Sequence, residues 1–202
     1  MINKKSILIT GGAGFVGSNL IRLFLKKTKF NIISLDNYSS GSKKNHINNK
    51  KVKYFKGETK DINLLIKQPQ KIHSVFHFGE FARIYQSFIQ MNKCIESNTI
   101  GTNSVFNFCL ENNIKLIYSA TSASLGNKGN DKNLSRHYSI SNKKSFSIYE
   151  VAKMFKSKIK FLRKRPGERY SSALARMNLS NKVYRYFGKK NLVDYINDII
   201  ST

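Results

Sequence analysis

A glycine-rich segment at residues 10–17, T-G-G-A-G-F-V-G, constrains the fold of this 202-residue chain more than any other feature. The apolar run before it, Ser6–Thr10, predicts a buried strand. The residues after it, Phe15–Lys27, carry apolar side chains at helical spacing and predict an amphipathic helix. Glycines at such a junction allow a tight turn, close approach of the backbone to a pyrophosphate, and close packing of helix on sheet. The segment therefore predicts a dinucleotide site with the anion at the helix N-terminus.

An acidic residue follows at the distance that such a site requires. Gly12, Gly14 and Gly17 fit the pattern G-x-G-x-x-G, and Asp36 ends the next predicted strand. A carboxylate about 20 residues beyond the glycines holds a ribose 2′-hydroxyl in dinucleotide sites. Because the same carboxylate repels a 2′-phosphate, the sequence favours NAD over NADP.

Strands alternate with helices through the first 120 residues. Further strands are predicted at 31–35, 53–55, 74–78 and 115–118, and further helices at 61–67 and 88–112. This alternation is typical of parallel βαβ units and predicts an α/β fold with a Rossmann-like, doubly wound parallel sheet.

Composition restricts the environment and the partners. Lys and Arg number 36 against 11 Asp and Glu, a formal net charge of +25, which favours an acidic partner or reflects general lysine bias. Two cysteines exclude a disulfide-stapled scaffold and favour a reducing, cytoplasmic compartment. No apolar run reaches the roughly 18 residues of a membrane span. The apolar stretch after the basic start is broken at residues 10–12, so we expect no signal peptide.

Several segments, in this order, resemble motifs of the NAD-dependent epimerase/dehydratase family of extended short-chain dehydrogenases. They are residues 10–17, 35–41, 57–61, 75–79, 98–102 and 118–126. Glu58, Thr59, Gly79 and Leu125 replace the usual residues of the family.

The resemblance implies NAD as the cofactor and assigns roles to particular residues. Thr121, just past the fifth strand, would orient the sugar through its hydroxyl as the catalytic residue. No metal ligand is implied. The implied cofactor-binding residues are Gly11, Gly14, Phe15, Val16, Gly17, Asp36, Asn37, Glu58, Thr59, Phe78, Gly79 and Asn98.

The C-terminal part is similar to a much later portion of the same family. Residues 138–148 resemble its late strand and turn, and residues 165–168, R-P-G-E, resemble the loop that binds the nucleotide half of a sugar nucleotide. Arg165 would engage phosphate and Glu168 a ribose hydroxyl. The implied partner is a nucleotide sugar, a UDP-sugar in particular. A capping box at residues 147–150 predicts a helix, and further helices are predicted at 180–187 and 191–200.

The family places a large block between these two parts, and only a few residues separate Gly126 from Tyr138 here. In the family that block holds a Y-x-x-x-K helix, whose Tyr is the acid/base and whose Lys lowers the pKa of that Tyr. Lys143 is one position too far from Tyr138, which rotates it by about 100° on a helix. We therefore do not assign Tyr138 and Lys143 as the catalytic pair. An internal deletion, a splice introduced by gene prediction and a naturally shortened lineage would each produce this pattern.

These observations predict an NAD-binding domain at residues 1–135 and a remnant of the nucleotide-sugar-binding region at 136–202. The expected activity is that of a nucleotide-sugar epimerase or dehydratase of the UDP-glucose 4-epimerase type, impaired by the shortened chain. A non-catalytic NAD-binding module and a basic nucleic-acid-binding protein are the alternatives. The normal family homodimer is not expected, because one interface helix belongs to the missing block, and the lost strand leaves a sheet edge open to self-association.

Overall fold

Five parallel strands form the sheet of the N-terminal unit in a computed structural model that describes residues 6–120, 137–141, 146–163, 183–187 and 189–201. The chain divides into two compact units, Met1–Ser119 and Ala120–Thr202, whereas the sequence prediction places the domain boundary at 135/136. The strand order is β3-β2-β1-β4-β5. Strands β2 and β3 are added on one side of β1 and strands β4 and β5 on the other, so the switch point of the sheet lies between β1 and β4. The strands are β1 Ser6–Thr10, β2 Asn31–Asp36, β3 Val52–Lys56, β4 Ile72–His77 and β5 Lys115–Tyr118.

Helices cover both faces of this sheet. They are α1 Phe15–Lys27, α2 Ile62–Leu65, α3 Ile84–Ile89, α4 Met91–Ile95 and α5 Thr102–Glu111, with short 3₁₀ turns at Lys43–Asn45, Thr59–Asp61 and Pro69–Lys71. Ile7 and Ile9 of β1 pack in the same cluster as Ile21 of α1, while Leu8 packs in the opposite cluster with Phe108 of α5. Side chains alternate across a strand, so one apolar run fills both clusters. The predicted doubly wound sheet is confirmed.

The long helix predicted at 88–112 is interrupted. Helix starts earlier, at α3, and a π-helical turn, Glu96–Gly101, lies between α4 and α5. Within that turn the Asn98 amide accepts a hydrogen bond from the Phe81 N–H (2.6 Å) and donates one to the Phe81 carbonyl (3.0 Å). The interrupted helix therefore fixes the segment that follows β4, and π-helical turns are frequent at functional sites.

The described part of the second unit contains two parallel strands, β6 His137–Ser141 and β7 Val183–Phe187, and two helices, α6 Ile148–Met154 and α7 Leu192–Ile200. Both halves of the capping box that starts α6 are present. The prediction of a helix at 180–187 is wrong, because β7 occupies most of that range. Its sequence, V-Y-R-Y-F, is rich in β-branched and aromatic residues. Such a segment forms a strand when a neighbouring strand is available to pair with it. No helix in the described ranges has the length and apolarity needed to cross a membrane.

Candidate functional site

A cleft opens at the carboxyl ends of the central strands. In doubly wound sheets, ligands bind there, at the point where the strand order reverses. Its volume is about 460 Å³ including the open mouth. It lies beside the turn between β1 and α1, the loop after β2, the loop after β3 and the segment after β4. The lining residues are Gly11, Gly14, Leu35, Asp36, Asn37, Ser39, Ser40, Gly57, Glu58, Thr59, Phe78, Gly79, Glu80 and Ser97.

The glycine turn brings the start of α1 against the end of β1. Gly11 has a φ of +70°, and a Cβ there would lie 2.8 Å from the Phe78 carbonyl carbon and oxygen. A Cβ on Gly17 would lie 2.3 Å from the Gly11 carbonyl oxygen. The N-cap residue Gly14 supplies no side-chain cap, which leaves N–H groups of the first turn of α1 for an anion. The predicted residues Phe15 and Val16 belong to that turn, with their side chains exposed.

Asp36 is held rigidly at the edge of the cleft. Its side chain is buried, one carboxylate oxygen accepts from the Ala13 N–H (2.9 Å) and the other from the Tyr38 N–H (2.8 Å). Tyr38 itself adopts the left-handed region, with a φ of 60°. Each carboxylate oxygen has a further lone pair, so the group still accepts hydrogen bonds from a ribose.

Three more predicted residues meet on the β2–β3 side of the cleft. The Asn37 amide donates to the Glu58 carboxylate (2.9 Å), and the Thr59 side chain is buried beside them. These contacts form between loops that follow neighbouring strands. Glu58 and Thr59, which replace the usual residues of the family, therefore line the cleft.

The end of β4 is tied to β1 by a buried hydroxyl. Thr10 Oγ1 accepts from the N–H groups of Phe78 (3.2 Å) and Gly79 (3.0 Å), and it lies 2.6 Å from His77 Nδ1. The other ring nitrogen of His77 lies 3.0 Å from Thr102 Oγ1. Burial lowers the pKa of His77, so the imidazole is neutral near pH 7. His77 is a packed strand residue whose ring lies between the Thr10 and Thr102 hydroxyls.

Glu80 and Tyr118 are not among the residues that the motifs predict. Glu80 Oε1 accepts from Thr102 Oγ1 (3.0 Å) and from the Tyr118 hydroxyl (2.8 Å). Burial, followed by the bond to Glu80, raises the pKa of Tyr118 to about 12. Tyr118 therefore stays protonated at neutral pH and acts as a donor. The available signal is an acidic residue two positions after the predicted fourth strand.

The remaining predicted residues fall in three groups. Asn98 holds Phe81 through both amide atoms. Thr121, Arg165 and Glu168 lie outside the described residues. Tyr138 lies on β6, in agreement with its interpretation as a strand residue.

A Tyr and a Lys with Y-x-x-x-K spacing do occur on one helix. Tyr149 and Lys153 both belong to α6, and Lys153 Nζ lies 4.4 Å from the centroid of the Tyr149 ring. Tyr186 and Lys190 share the spacing, but Tyr186 lies on β7 and Lys190 lies beyond the end of that strand, so the two do not share a helix. The Tyr149–Lys153 pair follows the gap between the two resembling parts, whereas the family places its pair in the missing block.

Comparisons with known proteins match most of this chain to one enzyme family. A family model described as "NAD dependent epimerase/dehydratase family" matches residues 7–161. The chain is 35% identical to a dTDP-D-glucose 4,6-dehydratase of Dictyostelium discoideum over 152 residues, which is 70% of this chain and 35% of that protein. It is 34% identical to a UDP-glucose 4-epimerase of Halalkalibacterium halodurans over 125 residues, 60% of this chain and 36% of that one. The chain thus covers little more than a third of either relative.

A solved structure shows the same fold around a bound dinucleotide. The Bordetella bronchiseptica enzyme WbmF in complex with NAD⁺ superposes with a TM-score of 0.54 at 27% identity. The match covers 59% of this chain and 37% of that one.

Proposed function

The chain belongs to the NAD dependent epimerase/dehydratase family, and we propose that its cleft binds NAD and serves the chemistry of that family on a nucleotide sugar. The observation that carries the proposal is the joint placement of the glycine turn and Asp36 at the switch point of the sheet. The open first turn of α1 suits a pyrophosphate, and the fixed carboxylate suits a ribose diol.

Each part of the cleft has a role toward NAD. The N–H groups at the start of α1 bind the pyrophosphate, and Asp36 accepts from the ribose on the β2 side. Asn37, Glu58 and Thr59 would contact the adenosine half, and Phe78 and Gly79 would line the cleft beside the dinucleotide. When bound, NAD accepts a hydride from the substrate.

The nucleotide-sugar part rests on the family and on the relatives, which are named as a UDP-glucose 4-epimerase and a dTDP-D-glucose 4,6-dehydratase. Thr121 is proposed to orient the sugar. Arg165 and Glu168 are proposed to hold the nucleotide.

We further propose that turnover is far below that of a full-length relative. The short connection between Gly126 and Tyr138 leaves no room for the block that normally holds the acid/base tyrosine. General acid–base catalysis contributes about 10²–10⁴-fold. Tyr118 does not replace that group as a base, because its pKa of about 12 keeps it protonated.

Calorimetric titration with NAD and with NADP tests the cofactor proposal. We expect the wild-type chain to bind NAD more tightly than NADP, and Asp36→Asn to weaken NAD binding and narrow that difference, because the carboxylate charge is lost. Asp61→Asn, a matched change outside the cleft lining, should leave both affinities unchanged. No measurable NAD binding by folded wild-type protein would refute the proposal.

Incubation with NAD and UDP-glucose, followed by product analysis, tests the level of turnover. NAD binding without turnover agrees with a non-catalytic module or an impaired enzyme. Robust epimerisation would contradict the impairment. In that case, loss of activity in Tyr149→Phe, with retention in Tyr186→Phe, would identify the α6 pair as the acid/base group.

A further inference from the structure

Glu80, which follows β4, places a third carboxylate in the lining of the cleft, beside those of Asp36 and Glu58. It lines the same cleft as Gly11 and Gly14, and its carboxylate lies at the end of β5, because Tyr118 is the last residue of that strand. Both of its hydrogen bonds go to Oε1, from Thr102 and Tyr118. Within the described residues, Oε2 is left without a partner and Glu80 forms no ion pair. Its negative charge is therefore held in position and is not neutralised by a cation there.

The strand order determines which half of a dinucleotide meets this charge. Asp36 ends β2 and Glu58 follows β3, whereas Glu80 follows β4, and β1 with the start of α1 separates the two sides. A dinucleotide with its pyrophosphate at the start of α1 spans the switch point. With the adenosine half beside Asp36, the nicotinamide half extends toward the side of Glu80. This step rests on the proposed function.

The two redox forms of the cofactor differ in charge only at the nicotinamide ring, which is cationic in NAD⁺ and neutral in NADH. A carboxylate on the nicotinamide side stabilises the oxidised form selectively, whereas a carboxylate on the adenosine side acts equally on both forms. We infer that Glu80 makes this cleft favour NAD⁺ over NADH. The preference keeps the resting cofactor in its oxidised form.

The partners of Glu80 support this role because they are neutral. Tyr118, with its pKa of about 12, remains a hydroxyl donor, and the Thr102 hydroxyl connects Glu80 to the neutral, buried His77. These groups orient the carboxylate without cancelling its charge. Tyr118 and Thr102 are accordingly positioning residues.

The test is calorimetric titration of NAD⁺ and NADH into the whole chain and into two variants at matched ionic strength. Glu80→Gln keeps an oxygen acceptor for Tyr118 and removes the charge. Glu58→Gln is the matched control, because it makes the same change in net charge on the adenosine side. Opposite unit charges in contact, even at the dielectric constant of water, correspond to roughly a fivefold change in affinity. We expect Glu80→Gln to lower the ratio of NAD⁺ to NADH affinity by about fivefold or more, and Glu58→Gln to leave the ratio within about twofold.

The possible outcomes separate this inference from the proposed function. If wild-type protein binds neither form, the proposed NAD function fails, and the inference fails with it. If wild-type protein binds both forms and Glu80→Gln leaves the ratio unchanged, the inference alone is overturned. An equal fall in the ratio for Glu58→Gln would also overturn it, because net charge would then be the cause. Circular dichroism checks the fold, and should Glu80→Gln fail to fold, the smaller Glu80→Ala carries the same expectation.

Discussion

Two glycines of the same turn should respond differently to the same substitution. An alanine Cβ at Gly17 would lie 2.3 Å from the Gly11 oxygen and 2.7 Å from the Gly12 Cα. Both neighbours are backbone atoms, so relief requires movement of α1 away from the end of β1. At Gly14 the Cβ would meet only the Gly11 oxygen, at 3.2 Å, and otherwise faces open space. We therefore expect Gly17→Ala to damage the fold and Gly14→Ala to damage chiefly the cofactor site.

The magnitudes follow from these contacts. Overpacking costs about 1–3 kcal/mol and occasionally more, and contact with backbone atoms places Gly17→Ala at the upper end. Alanine in a helix recovers about 1 kcal/mol relative to glycine. The net loss for Gly17→Ala is therefore about 2 kcal/mol of unfolding free energy. Gly14→Ala replaces an N-cap glycine, which costs about 1 kcal/mol or less. Its methyl group, however, occupies the approach of the pyrophosphate to the start of α1.

Urea denaturation followed by circular dichroism, together with NAD titration, separates the two effects. Gly17→Ala should lower the unfolding midpoint clearly. Gly14→Ala should keep a midpoint close to that of the wild type and bind NAD at least tenfold more weakly. A Gly17→Ala protein as stable as the wild type would refute the packing argument. A Gly14→Ala protein with unchanged NAD affinity would refute the placement of the pyrophosphate.

Three further predictions concern buried polar groups. Burial lowers the pKa of His77, so on acidification the unfolded chain takes up this proton before the folded chain does. The free energy of unfolding should therefore fall as the pH drops below about 6.5. Urea midpoints measured from pH 7 to 5 should depend less steeply on pH in His77→Gln than in the wild type, and an identical dependence would contradict this. Ser34 Oγ is buried and has no hydrogen-bond partner among the described residues. Because an unsatisfied buried group costs about 1–3 kcal/mol, Ser34→Ala should have a urea midpoint equal to or above that of the wild type. A clearly lower midpoint would contradict this prediction. Asn98→Ala removes both hydrogen bonds to the Phe81 backbone. It should lower the free energy of unfolding, measured by thermal denaturation, by about 1–3 kcal/mol. A variant as stable as the wild type would show that these two bonds are dispensable.

Local signals predict much of the N-terminal unit. The predicted bounds of β1, α1 and β5 are confirmed. Short apolar runs, helical periodicity and the glycine turn each act over a few neighbouring residues, so they are readable without the fold. The prediction of a helix at 180–187 is wrong because a distant contact, not a local signal, determines the structure there. There the sequence is compatible with either type of element, and pairing with β6, more than 40 residues away, decides it.

By itself, the sequence determined the parallel α/β architecture, the glycine turn, and the presence of Asp36 at the end of the second strand. Those features depend on backbone conformation and on spacing along the chain, which residue types control directly. Only the tertiary structure decided that Asn98 holds Phe81, and that Glu80 accepts a hydrogen bond from Tyr118, 38 positions further on. The bond between Glu80 and Tyr118 forms because the strand order brings the ends of β4 and β5 together. No short-range pattern encodes that proximity, and it is what places the Tyr118 hydroxyl against the Glu80 carboxylate.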